Sequence, residues 1–200
     1  KTTALWTAFI QSAPHANGPW LWTTTPGTSS GLILLSTNVS LNDTSSVYLL
    51  QVNKTTNPEV VASFCDDLRR SGLKPVYVRE GSYYYVYTAI AKEEEDLALE
   101  KTVLDQLQIS YVVKVQSLNN YPNNIIGEDE FDFWDQGVKN FLLALSDKNF
   151  TINNEYLNNP INAEFHKNLI YLNALVQNGS KEAKNYLLLE TYKLIVENLS

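Results

Sequence analysis

Between residues 47 and 118 the hydrophobic period switches back and forth between 2 and about 3.6, and this alternation constrains the chain more than any other feature. Residues 47–53 read as a strand. Residues 58–71 read as a helix, with Asn57 as its N-cap, Pro58 at the first helical position and Gly72 just past the end. A second strand over 74–79, a tight turn at Glu80-Gly81-Ser82 and an aromatic third strand over 83–90 follow. Glu93, Glu94, Glu95 and Asp96 suit the positive end of a helix dipole and open a second helix carrying Leu97, Val103, Leu104 and Leu107. A last strand spans 109–116. Short connections and right-handed crossovers fold the order βαββαβ into one four-stranded antiparallel sheet with both helices on a single face. The other face is expected to be open.

Two regions of different texture flank this unit, giving three expected segments: 1–46, 47–118 and 119–200. Residues 1–46 are rich in Thr, Ser, Pro and Gly, show no helical period and hold Trp6, Trp20 and Trp22, which need a surface to pack on. After the polar stretch 119–124 the period becomes helical. Phe131, Trp134, Val138, Phe141, Leu142 and Leu145 mark one helix; Phe165, Leu169, Leu172 and Val176 mark a second; a third runs from the Ser180 N-cap to about Asn198. Short loops between them predict a small three-helix antiparallel bundle, which makes the fold class α+β. The third helix carries Tyr186, Leu187, Leu188, Leu189, Tyr192, Leu194, Ile195 and Val196, apolar over more than one face, so it requires a second cover. Residues 1–46 are the expected cover. The helical region is expected to act as a spacer or to receive a protein partner.

Composition narrows the function. Against 15 Lys and Arg stand 22 Asp and Glu, a net charge of -7, which opposes binding to a phosphate backbone, so no nucleic-acid partner is expected. No apolar run approaches the length of a membrane span. A chain that starts at Lys1 and contains no Met suggests that a signal or anchor segment was removed upstream. Cys65, on the apolar stripe of the first helix, reads as a packed thiol.

Catalytic signals are weak. Gly27-Thr28-Ser29-Ser30-Gly31 has the letters of a nucleophile elbow, but Pro26 precedes it and a β-like run follows, where a strand and then a helix are required. His15 and His166 sit in no metal-ligand spacing, so no metal or cofactor is expected. Glu128, Asp129, Glu130, Asp132 and Asp135 could supply the two carboxylates of a glycosidase, but acidic residues opening a helix are explained by its dipole. The sequence therefore reads as a binding module and not an enzyme.

The informative constellation is the open sheet face. With Tyr48, Leu50 and Val52 toward the helices, alternation leaves Leu49, Gln51 and Asn53 on the open side, together with Tyr83, Tyr85 and Tyr87 of the third strand. The same phasing exposes Tyr77 and Arg79 in the second strand and Val112, Lys114 and Gln116 in the fourth. A row of tyrosines rimmed by amides and cations suits a glycan, whose C–H faces stack while its hydroxyls and acetamides hydrogen-bond.

Residues 47–118 resemble the sporulation-related repeat, or SPOR, family. The match rests on Tyr48-Leu49-Leu50-Gln51-Val52 in the first strand and Tyr83-Tyr84-Tyr85-Val86 in the third. The resemblance implies an extracytoplasmic, membrane-anchored module that binds peptidoglycan glycan strands in cell division or sporulation without catalysis. Carried over by position, the glycan contacts fall on Gln51, Lys54, Tyr83 and Tyr85. The family glycine after the first strand is Asn53 here, the third-strand arginine is Tyr85, and the Gly-Pro ending that strand is Ala89-Ile90. The same element order describes an RNA-recognition module, but its Lys/Arg-Gly-aromatic-Gly pattern is absent from the third strand. Wall hydrolysis through the carboxylates near Glu128 is the third reading.

Overall fold

In the computed structural model, residues 45–118, 128–153, 155 and 162–199 are described. The expectations for residues 1–44, including the Gly27–Gly31 motif, His15 and the tryptophans, lie outside the described residues.

Local chemistry starts each element where its residues dictate. The Asn57 side chain accepts from the Glu59 N–H at 2.9 Å, and Pro58 takes the first position of helix α1 (Pro58–Arg70). Gly72 ends that helix at φ +86° and Gly81 turns the following hairpin at φ +59°, a region where only glycine is unstrained. The strands are β1 (Ser46–Thr55), β2 (Val76–Glu80), β3 (Tyr83–Ala91) and β4 (Val112–Ser117), in the antiparallel order β2-β3-β1-β4. The acidic run at 93–96 opens a short 3-10 turn, Glu94–Leu97, which leads into α2 (Ala98–Gln106). Helices α1 and α2 share one face of the sheet: Val61, Cys65 and Leu68 pack around Val86, and Leu97 and Leu104 around Leu50, Ala89 and Ala91.

The opposite face is not open. Helices α3 (Glu128–Leu145), α4 (Ala163–Asn178) and α5 (Lys181–Leu199) close a core in which Leu188, Leu189, Tyr192 and Ile195 are buried together with Val47, Leu49, Val76, Val78, Tyr87 and Ile90 of the sheet. Sheet and helices thus form one compact unit from Ser45 to Ser200. The second apolar side of α5, for which a cover was expected, meets β2 and β3; the part of that expectation that concerns residues 1–44 lies outside the described residues. The sequence reading had left the sheet face open and assigned α5 a different cover, and the two surfaces cover each other.

Polar groups fix the register of this docking. Beyond Val76, β2 no longer accompanies β3, and the backbone of Thr88 and Ile90 would be left unpaired on that side. The Asn185 carboxamide of α5 substitutes for the missing strand: its Nδ2 donates to the Thr88 carbonyl and its Oδ1 accepts from the Ile90 N–H, both at 3.1 Å. Further along α5, Glu197 accepts from the Arg79 N–H at 3.4 Å, and the Lys193 ammonium lies 4.7 Å from the centre of the Tyr77 ring. Within the bundle, Phe133, Trp134 and Phe165 meet at centroid distances of 4.6 to 5.9 Å, and Gly137 allows the Phe165 ring to approach so closely that an added Cβ would lie 2.3 Å from it.

Two outcomes follow. A fragment ending at residue 118 exposes Val47, Leu49, Val76, Val78, Tyr87 and Ile90, so it should aggregate or bind a hydrophobic dye strongly, as size-exclusion chromatography and dye fluorescence would show; a monomeric, cooperatively melting fragment would contradict the shared core. Asn185→Leu leaves two backbone groups without partners and should lower stability by about 1–3 kcal/mol in urea titration.

Candidate functional site

The register of the strands decides which of the expected residues share a face. Tyr77 pairs with Val86, whose side chain is buried among α1 residues, so Tyr77 lies on the helix-bearing side and meets Tyr84 edge-on at 6.1 Å. The alternation of β2 is therefore one residue out of phase with the sequence reading: Val76, Val78 and Glu80 pair with Tyr87, Tyr85 and Tyr83 and share their side. Arg79, paired with Tyr84, leaves the tyrosine face with Tyr77.

On β1 the register slips on both sides of Gln51, between Leu50 and Gln51 and again between Gln51 and Asn53. Such irregularities re-aim side chains. Gln51 remains set against Tyr87 and Val112, half-buried on the tyrosine face. Asn53 is set against Val86 and Lys54 against Tyr85, so the residue that joins the tyrosines is Lys54 and not Asn53. The slip is invisible to strict alternation, which is why the sequence assigned Asn53 to the row.

The tyrosines form a graded ladder. Tyr83 is 43% exposed, Tyr85 is half-buried against the core and Tyr87 is fully buried. Tyr83 and Tyr85 have centroids 6.3 Å apart; Tyr85 and Tyr87 stack nearly parallel at 6.3 Å; Tyr87 then meets Tyr192 of α5 edge-on at 5.9 Å. Tyr87 cannot touch a ligand in this fold, contrary to the sequence expectation, because α5 covers it. It acts as a base for Tyr85. Burial pushes the hydroxyls of Tyr87 and Tyr192 far above the ordinary tyrosine range, so both stay protonated.

Two lysines lie against the ladder. The Lys54 ammonium is 4.1 Å from the Tyr83 ring centre and 5.2 Å from that of Tyr85; the Lys114 ammonium is 4.4 Å from Tyr85 and 5.7 Å from Tyr87. Their surroundings differ. Lys114 donates to both carboxylate oxygens of Glu80 at 2.9 Å and to the Tyr87 hydroxyl at 3.0 Å, which accounts for its three donors. Lys54 is exposed, and among the described residues it has no carboxylate partner. Sequence reading placed Lys114 on this face but missed its clamp, since finding it requires Glu80 to be assigned to the tyrosine side. The accessible patch therefore consists of Tyr83, Tyr85, Lys54 and Gln51, with Val112 at 62% exposure on the edge strand beside Gln51.

Nothing in the patch resembles a nucleophile with a base. His166 is buried in α4, and desolvation lowers its pKa, away from the patch residues in the helical core. Among the described residues no group of three or more His, Cys, Asp or Glu side chains is arranged to hold a metal ion, and no helix is long and apolar enough to cross a membrane. A cavity of about 350 Å³ lies at the far end of β3, lined by Ile90, Leu97, Glu100, Asp147, Lys181 and Lys184. Two ion pairs lie in its lining, Lys184 with Asp147 and Lys181 with Glu100.

No protein-family model and no curated protein matches the chain. Among solved structures it is similar to the solution structure of the peptidoglycan binding domain of the B. subtilis cell wall lytic enzyme CwlC, at 12% identity and a TM-score of 0.33, over 36% of this chain and 92% of that one.

The unequal burial of the two lysines has a measurable consequence. Lys114→Ala strips the Glu80 carboxylate and the Tyr87 hydroxyl of their shared donor and should cost about 1 kcal/mol, the value for a partly exposed charged hydrogen bond. Lys54→Ala should change stability by less than about 0.5 kcal/mol. Equal losses in chemical denaturation would show that the clamp is not structural.

Proposed function

We propose that this chain carries a non-catalytic SPOR-type module that binds peptidoglycan glycan strands on the extracytoplasmic side of a bacterial membrane, in cell division or sporulation. The observation that carries the reading is the patch itself. Gln51, Lys54, Tyr83 and Tyr85, the four positions to which the family resemblance assigns glycan contact, lie on one face of a βαββαβ sheet. An exposed aromatic ring gives a C–H surface of sugar something to stack on, and Gln51 offers both a donor and an acceptor to hydroxyl or acetamide groups. The patch is narrower than the full tyrosine row, since α5 takes Tyr87 and the register takes Tyr77 and Asn53. A short face of this kind suits one or two sugar units of a long polymer, where many weak sites along a strand compensate for the small contact at each.

Pelleting with purified cell-wall sacculi, before and after treatment with an amidase that removes stem peptides, tests the reading. Binding should increase after amidase treatment, and Tyr83→Ala should weaken it roughly two- to tenfold, the worth of one aromatic contact. A chain that stays in the supernatant with both preparations has no wall-binding function.

A further inference from the structure

We infer that Lys54 makes this face selective for saccharides that carry a negative charge, a carboxylate or a phosphate, on the unit lying against Tyr83. The inference rests on the reading that the face binds a glycan. It starts from the position of the ammonium group. At 4.1 Å from the Tyr83 ring and 5.2 Å from Tyr85, Lys54 already occupies the space over the two accessible rings. A neutral sugar that stacks there must displace it and gives up the cation–π contact with nothing in return. An anionic sugar offsets that loss, because the displaced ammonium turns its N–H donors to the incoming charge.

Lys114 supplies the internal contrast. It lies as near to its ring as Lys54 does, 4.4 Å from Tyr85, but its donors are taken by Glu80 and Tyr87 and its charge is balanced at contact distance. Of the two cations on the face, one is built into the scaffold and the other is left for a ligand. A lysine with no carboxylate partner among the described residues, in a chain of net charge -7, places an unbalanced positive charge beside the two accessible rings.

The experiment measures binding of the whole chain to four soluble probes: a polygalacturonate oligomer, its methyl ester, a 6-O-phosphorylated chitohexaose and chitohexaose. The carboxylate and phosphate probes distinguish the two sources of charge. Wild type should bind at least one of them roughly fivefold more tightly than the methyl ester or chitohexaose, and the preference should fade as salt is raised. Lys54→Gln should abolish the preference and Lys54→Arg should restore it, while the charge-conserving change Lys114→Arg should leave it in place. Equal affinity for the acid and its ester, or a preference that persists in Lys54→Gln, overturns the inference. So does failure to bind any probe; sacculus pelleting then decides whether the wall-binding reading falls as well.

Discussion

The structure depends on the burial of one sheet face against one helix. Tyr87, Val76, Val78 and Leu49 on one side and Leu188, Leu189, Tyr192 and Ile195 on the other are nearly inaccessible to water. Each such side chain stabilises the fold by roughly 1.5–3 kcal/mol relative to exposure. A four-stranded sheet backed by two short helices has one face to spare, and three helices of which one is apolar on more than one face have a face to spare as well. Neither half is complete alone. Joined, they make three layers: α1 and α2, the sheet, and the bundle.

This contact also determines the size and character of the candidate site. Helix α5 crosses the sheet at β2 and β3, so the part of the tyrosine row nearest its path is core and the remainder is surface. The transition runs along a single strand, from Tyr87 through Tyr85 to Tyr83, within five residues. A ring whose neighbour is locked in a core has little freedom of its own. Tyr85 is therefore held in place by stacking on Tyr87, and the Glu80–Lys114 pair fixes it from the side. The result is a small, rigid contact surface presented at the edge of a large hydrophobic interface.

Much of this was legible in the sequence. Helix α1 could be bounded from Asn57, Pro58 and Gly72 because capping and φ > 0 are local requirements. The order of elements and the βαββαβ sheet followed from periodicity and chain connectivity. The sequence also showed that Tyr83, Tyr85 and Tyr87 could not share a face with Tyr84 and Val86. Three things were hidden, and all are tertiary. Whether Tyr77 or Val78 turns toward α1 depends on which residue of β3 it opposes, and β2 offers aromatic and β-branched residues to both sides. The slips beside Gln51 leave no mark in composition, so Asn53 and Lys54 exchanged roles unseen. The mutual cover of α5 and the sheet required comparing two surfaces far apart in sequence, where periodicity identifies a need for burial but not its partner.

The Asn185 clip has a consequence for how the sheet ends. A sheet edge propagates wherever a row of backbone donors and acceptors faces outward, and an incoming strand needs several of them in register. One carboxamide takes a donor and an acceptor of β3 where β2 stops, and α5 lies along β2 itself. That border is closed to further strands by a side chain and a helix, and among the described residues the opposite border of the sheet is β4. There Val112 and Val115 stand in solvent on opposite faces. Any growth of this sheet by strand addition, from within the chain or from another copy, is one-directional.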